Sequence, residues 1–206
     1  MEARALAKDP FNIIITGVGG QGNVMASRIL SNMLVRQGYQ VTIGETFEAS
    51  QRGGSVMSHI RVSGKSTWSP QIPKGRADIV VTLEPIEAIR VLMSYGNGEV
   101  KVLTNTRPIY PVGVISGELN YPTAEEIQEA IRDLSSQAWF VAATDEAVKL
   151  GNPILGNIIM IGALAGTGSL PLSRDDFQEV IGESLPAKAL EANMKAFDLG
   201  VSRAKL

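Results

Sequence analysis

FNIIITGVGGQGNVMASRILSNMLVRQGYQVTIGE, residues 11–45, decides the fold. Phe11–Thr16 is a short, mostly apolar run with three isoleucines, the pattern of a strand buried on both faces. Gly17–Gly22 follows, and then Val24, Ile29, Leu30, Met33 and Leu34 recur at helical spacing until Gly38 stops the helix. Val41–Gly44 reads as a second strand that ends at Glu45. Strand, glycine loop, helix and strand in this order predict one βαβ unit.

The same alternation continues downstream. Val56–Val62 and Asp78–Leu83 read as strands, and Pro85–Tyr95 as a helix with proline in its first turn. Glu99–Thr104 reads as the next strand, before a connector with Pro108 and Pro111. Thr123 and Glu126 form a capping box for a helix to about Leu134. Trp139–Ala143 then reads as a strand and Asp145–Leu150 as a short helix. Three more helices follow: Ile154–Ala165, one capped by Ser173, and a last one from Pro186 to about Leu199. The expected class is α/β, with a mostly parallel sheet between two helix layers and one domain over residues 1–206.

Composition narrows the chemistry. The formal net charge is −2, which argues against a nucleic-acid partner. Cys is absent, so the chain offers no thiolate nucleophile and no cysteine-ligated iron–sulfur cluster of its own. His59 stands alone, which excludes a metal site built on two or three histidines of this chain. Met1–Pro10 does not read as a signal peptide. The apolar run Ile154–Ala165 is too short to cross a bilayer. The expectation is a protein of the cytoplasm with no membrane partner, suited to binding or to service as a subunit.

Gly17, Gly19, Gly20, Gln21 and Gly22 form the first candidate site. They fit G-x-G-x-x-G between a strand and a helix. There, bare backbone and the unpaired N–H groups of a helix start can take phosphate. Glu45 falls where a dinucleotide site places its ribose-binding acid. The alternative is that the glycines only make a tight turn and allow close packing. Ser50, Gln51, Arg52, Gly53 and Gly54 form the second candidate, in which a guanidinium, hydroxyls and glycine N–H groups could hold a carboxylate or phosphate. A solvated surface turn is the alternative. His59 reads first as a packed strand residue. Glu84 lies either at a ligand-binding strand end or at a helix N-terminus that favours a carboxylate. Arg76 and Asp78 bracket a strand and are expected to pair. The helix Ile154–Ala165 is apolar nearly all round, which fits either a core helix or a subunit interface.

ITGVGGQGNVMASRIL, SQRGGSVMSHIRV, GRADIVVTLEPIEAIR and GNPILGNIIMIGAL occur in that order over about residues 11–185. Together they resemble the gamma-type subunit or domain of 2-oxoacid:ferredoxin oxidoreductases, and most of all the indolepyruvate type. Phe47-Glu48-Ala49 departs from the Gly-Met-type pair that members often carry there. The resemblance implies a Rossmann-like three-layer fold. It also implies a complex that oxidatively decarboxylates a 2-oxoacid to an acyl-CoA and reduces ferredoxin. Thiamine diphosphate, Mg²⁺ and the iron–sulfur clusters would then lie on a larger partner subunit, with CoA as co-substrate and no cofactor or metal held by this chain alone. A homodimer is left open. Two other readings compete: a free-standing dinucleotide-binding protein that uses Gly17, Gly19, Gly22 and Glu45, and an interaction module that no ligand touches.

Overall fold

The computed structural model describes residues 4–47 and 54–204. The strands are β1 (Phe11–Val18), β2 (Gln40–Phe47), β3 (Ser55–Ser63), β4 (Ile79–Thr82), β5 (Lys101–Asn105) and β6 (Gln137–Val141). The helices are α1 (Asn23–Arg36), α2 (Pro85–Tyr95), α3 (Val112–Ile115), α4 (Ala124–Asp133), α5 (Ala143–Lys149), α6 (Gly156–Gly166), α7 (Arg174–Ser184) and α8 (Ala187–Ala204). The short helix α3 lies in the proline-containing connector, where the sequence offers too few residues for a periodic signal.

The sheet order is β2-β3-β1-β4-β5-β6. β1, β4, β5 and β6 run parallel, whereas β3 is antiparallel to both β1 and β2. The sheet is therefore mixed, with a parallel block of four strands. The expected βαβ unit needs one correction. β2 has the predicted direction, but β3 is inserted between it and β1. Burial explains the order. β3 carries Ile60 and Val62 with no exposed surface, as an interior strand requires. β2 is only half-buried along its length and carries Gln40, Thr42, Glu45 and Thr46, a composition that suits an edge.

Strand pleating sends alternate residues to two cores. Ile13, Ile15, Ile79, Val81 and Leu103 pack on one face with Leu30, Met33, Ile159, Phe177 and Phe197 of the helices α1, α6, α7 and α8. Ile14, Val80 and Val102 pack on the other face with Ala88, Val91 and Leu92 of α2 and Ile127 and Ile131 of α4. These continuous apolar runs are what a sheet covered on both faces needs. Thr123 caps α4 through its side chain while Glu126 bonds back to the Thr123 N–H, which completes the expected capping box. α6 is buried in the first core, so the choice between core helix and subunit interface falls to the core. Asp78 does not take Arg76 as its partner. Its two oxygens accept from Lys8 at 3.1 Å and from the Asn12 N–H at 2.8 Å.

Candidate functional site

The C-terminal ends of β1, β4, β5 and β6 meet along one edge of the sheet, the edge where open α/β sheets bind ligands. β1 runs through Gly17 and Val18, so the glycine motif begins inside the strand. A Cβ on Gly17 would lie 2.5 Å from Gln21 Oε1 and 2.8 Å from Asn23 Oδ1. That space is needed because Gln21 buckles the turn. Its Oε1 accepts from the Val18 N–H at 2.9 Å, and its Nε2 donates to the Leu83 carbonyl at 2.7 Å. Gln21 thus ties the turn after β1 to the end of β4.

Gly20 and Gly22 have φ of 97° and 83°, a region that side-chain-bearing residues rarely adopt. A Cβ on Gly20 would meet nothing within 4 Å, so its backbone faces open space. Gly22 starts α1 without a side-chain cap, and no acidic residue stands in the first turn. The first N–H groups of α1 and the positive end of its dipole are thus left for a ligand or water.

A cleft of about 330 Å³ opens beside this turn, lined by Gly20, Gln21, Asn105, Arg107, Thr144 and Asn157, among others. Asn105 is fully engaged: its Nδ2 donates to the Leu83 carbonyl and to Thr144 Oγ1, and its Oδ1 accepts from the Thr144 N–H. Arg107 forms an exposed ion pair with Asp145 at 3.0 Å. Asn157 differs from both. It is 2% exposed, and neither end of its carboxamide has a hydrogen-bond partner among the described residues; Asn23 Oδ1 shares that condition. Buried polar groups are nearly always satisfied, which sets these atoms apart from the fully engaged Asn105. A second cavity of about 330 Å³, walled by Tyr110, Tyr121 and Phe140, shares Asn105 and Pro108 with the first.

Of the second candidate stretch, Ser50, Gln51, Arg52 and Gly53 lie outside the described residues. Gly54 is buried, and its carbonyl accepts from the Gly19 N–H at 3.0 Å. Ser55 then donates to Glu87 Oε2 at 2.6 Å. The end of one glycine motif is therefore bonded to the other.

The remaining candidates lie elsewhere. Glu45 sits on edge strand β2 opposite Ser58 of β3. At about 4.8 Å per strand, the inserted β3 puts it roughly 10 Å from β1, too far for the ribose role expected beside β1. His59 is 1% exposed in the middle of β3, opposite Ile14 and Gly44. Its Nδ1 accepts from the Ile72 N–H at 3.4 Å, its ring packs against Tyr95, and burial pushes its pKa below the ordinary histidine value. Glu84 caps α2. It accepts from the Glu87 N–H, the Ile109 N–H and the Tyr121 hydroxyl, at 3.0, 3.3 and 2.6 Å. Burial and this carboxylate push the Tyr121 phenol well above its usual range. Glu84 thus pins the connector after β5 and has no free face for a ligand.

Residues 12–203 match the family described as pyruvate ferredoxin/flavodoxin oxidoreductase. The chain belongs to this family. Two indolepyruvate oxidoreductase subunits IorB, from Pyrococcus horikoshii and Thermococcus kodakarensis, are 41% and 40% identical to it over 95% of this chain and 96% of theirs. The solved pyruvate oxidoreductase subunit from Thermotoga maritima shares the fold, with a TM-score of 0.70 and 21% identity over 95% of this chain and 97% of that one. Sequence reasoning missed Asn105 and Asn157, which line the cleft, and Asn23 at the start of α1. Asn157 had a legible signal, as the one strongly polar side chain inside the apolar run 154–165. Asn105 had none, because only the sheet order brings it beside Leu83 and Thr144.

Proposed function

We propose that this chain is the cluster-free subunit of a 2-oxoacid:ferredoxin oxidoreductase that acts on indolepyruvate or another aryl pyruvate. The single observation that carries the reading is identity of 40–41% to two indolepyruvate oxidoreductase subunits over nearly the full length of both chains. The chain would work in the cytoplasm with a larger subunit that holds thiamine diphosphate, Mg²⁺ and the iron–sulfur clusters, and ferredoxin would take the electrons. The chain by itself is poorly equipped to ligate a metal. It has no cysteine, and the described residues hold no group of three or more His, Cys, Asp or Glu that could grip a metal. Thiamine diphosphate, when bound, supplies the decarboxylation chemistry from the partner's side.

This chain's part is to bind and orient. The open backbone at Gly20 and the uncapped start of α1 favour an anion. Arg52 and the N–H groups of Gln51–Gly54, joined to the turn through Gly54 and Gly19, would hold a CoA phosphate or the oxoacid carboxylate. Exposed apolar side chains support docking of a larger subunit: Val148 and Ile154 line the cleft, and Tyr110, Val112, Ile115 and Leu119 lie in the segment between β5 and α4. The dinucleotide alternative is disfavoured by the strand order, which removes Glu45 from the cleft.

Anaerobic purification of the tagged chain from its host tests the assembly. A co-purifying larger subunit with iron and thiamine diphosphate is expected; a lone, iron-free chain would overturn the reading. In the complex, Arg52→Ala should raise the apparent KM for CoA or the oxoacid by about tenfold or more, the scale of one lost charge-assisted hydrogen bond. Unchanged kinetics would remove that role from Arg52.

A further inference from the structure

The opposite edge of the sheet holds a third cavity, which shares no lining residue with the two described above. It measures about 580 Å³, and Lys8, Asp9, Arg61, Arg76, Asp78 and Glu99 supply its charged lining. Three cations face three acids there, but only Lys8 is ion-paired among the described residues. Lys8 is shared by Asp78 at 3.1 Å and Glu99 at 2.7 Å, and the second Asp78 oxygen accepts from the Asn12 N–H. The last carbonyls of α2 do not face the cavity unpaired either: Ser94 and Tyr95 accept from the N–H groups of Gly75 and Ala77. Asp9 is the remaining acid, and it accepts only a 3.2 Å bond from the Gly64 N–H.

Arg61 and Arg76 are a different matter. Arg61 is 8% exposed; its Nε donates to Asn12 Oδ1 at 3.0 Å, its Nη1 to the Ser69 carbonyl at 3.2 Å, and its guanidinium lies 5.0 Å from the Trp68 ring. All these partners are neutral. Neither Arg61 nor the exposed Arg76 forms an ion pair among the described residues. A buried charge is costly unless an opposite charge meets it. Burial accordingly pushes the Arg61 pKa below its ordinary value. The Asn12 carboxamide accepts from Arg61 and donates to the Arg76 main-chain carbonyl at 2.8 Å. Both arginines line the cavity, and a guanidinium is a planar donor suited to oxyanions.

We propose that the Arg61–Arg76 cavity is a carboxylate- or phosphate-binding site at the sheet edge opposite the glycine turn. The oxyanion comes either from a free small acid or from a carboxylate side chain of an associated subunit; the chemistry is the same.

Trp68 is the built-in reporter, because it lies against Arg61 and the only other tryptophan is Trp139. The full chain with Trp139→Phe would be titrated with inorganic phosphate and with oxalate at low ionic strength, following Trp68 emission. A saturable change is expected, weakened at least tenfold by Arg76→Ala. Asp9→Asn should tighten it severalfold by removing the opposing carboxylate. Gly20→Ala, at the other edge, should leave it unmoved. No saturable change, or an Arg76→Ala titration identical to the parent, overturns the proposal. Repeating the titration on the assembled complex separates the sources. Retained phosphate binding identifies a free acid. Binding lost on assembly, together with an association weakened by Arg76→Ala, identifies a partner's carboxylate.

Discussion

Glycine does opposite work in two regions of this molecule. At the turn 17–22 it leaves backbone open: Gly20 has φ 97° and nothing within 4 Å of where a Cβ would stand. Between α6 and α8 it closes backbone up. A Cβ on Gly162 would lie 2.1 Å from the Phe197 carbonyl oxygen, and one on Gly200 would lie 2.0 Å from that of Ile159. Both helices have ordinary helical backbone there, so the glycines serve close approach and not conformational freedom. Both regions look alike as glycine-bearing sequence. Only the space around each residue separates a packing device from a surface prepared for a ligand.

The largest effect belongs to the closed region. Gly200→Val drives a branched side chain into the backbone of α6, and backbone cannot swing aside as the end of a side chain can. The two helices must separate, which disturbs the core shared with Phe177 and Phe197. A loss of more than about 3 kcal/mol is expected, at the upper end of overpacking costs, read from the urea midpoint. A midpoint within error of the parent would mean that α8 is loosely held and would erase the contrast.

That contrast also marks what was legible in the sequence. The parallel strands and the helices around them announced themselves, because runs such as Ile13–Ile15 and Ile79–Val81 carry their own burial signal. The position of β3 did not. A βαβ pattern fixes the direction of β2 but not its neighbour, and the insertion of β3 depends on burial summed over the whole sheet. The misplacement of Glu45 follows from that one gap. The glycine turn was legible as a site because strand, glycines and helix start are adjacent in the chain. Its other wall was not, since Asn105, Thr144 and Asn157 reach it from the ends of three later elements. Arg61 likewise lies within the predicted strand Val56–Val62, and only the contacts with Asn12, Ser69 and Trp68 expose its missing countercharge.

Gly22 is the intermediate case and sharpens the comparison. Its φ of 83° opposes any side chain, and a Cβ would also stand 2.4 Å from Asn157 Nδ2. Gly22→Ala should therefore cost about 2 kcal/mol, part conformational and part steric. The two parts can be separated, because the obstacle is the tip of a side chain with no hydrogen bond holding it. Adding Asn157→Ala should return the steric part and leave the conformational part in place. Strictly additive losses would show that Asn157 moves aside unaided and that the cleft wall is softer than its burial suggests.

The smallest effect on stability is expected at Gly20, and it is the most informative about function. Gly20→Ala adds a methyl to empty space, so only the φ of 97° opposes it, at about 1 kcal/mol. If the turn only packs, the complex carrying this variant should keep its KM values once that small loss is allowed for. If the bare backbone of Gly20 meets an anion, the methyl stands in the anion's path, and the apparent KM for CoA or the oxoacid should rise severalfold while kcat changes less. A stability loss without a KM change would show that Gly20 serves only the positive φ of the turn and meets no anion.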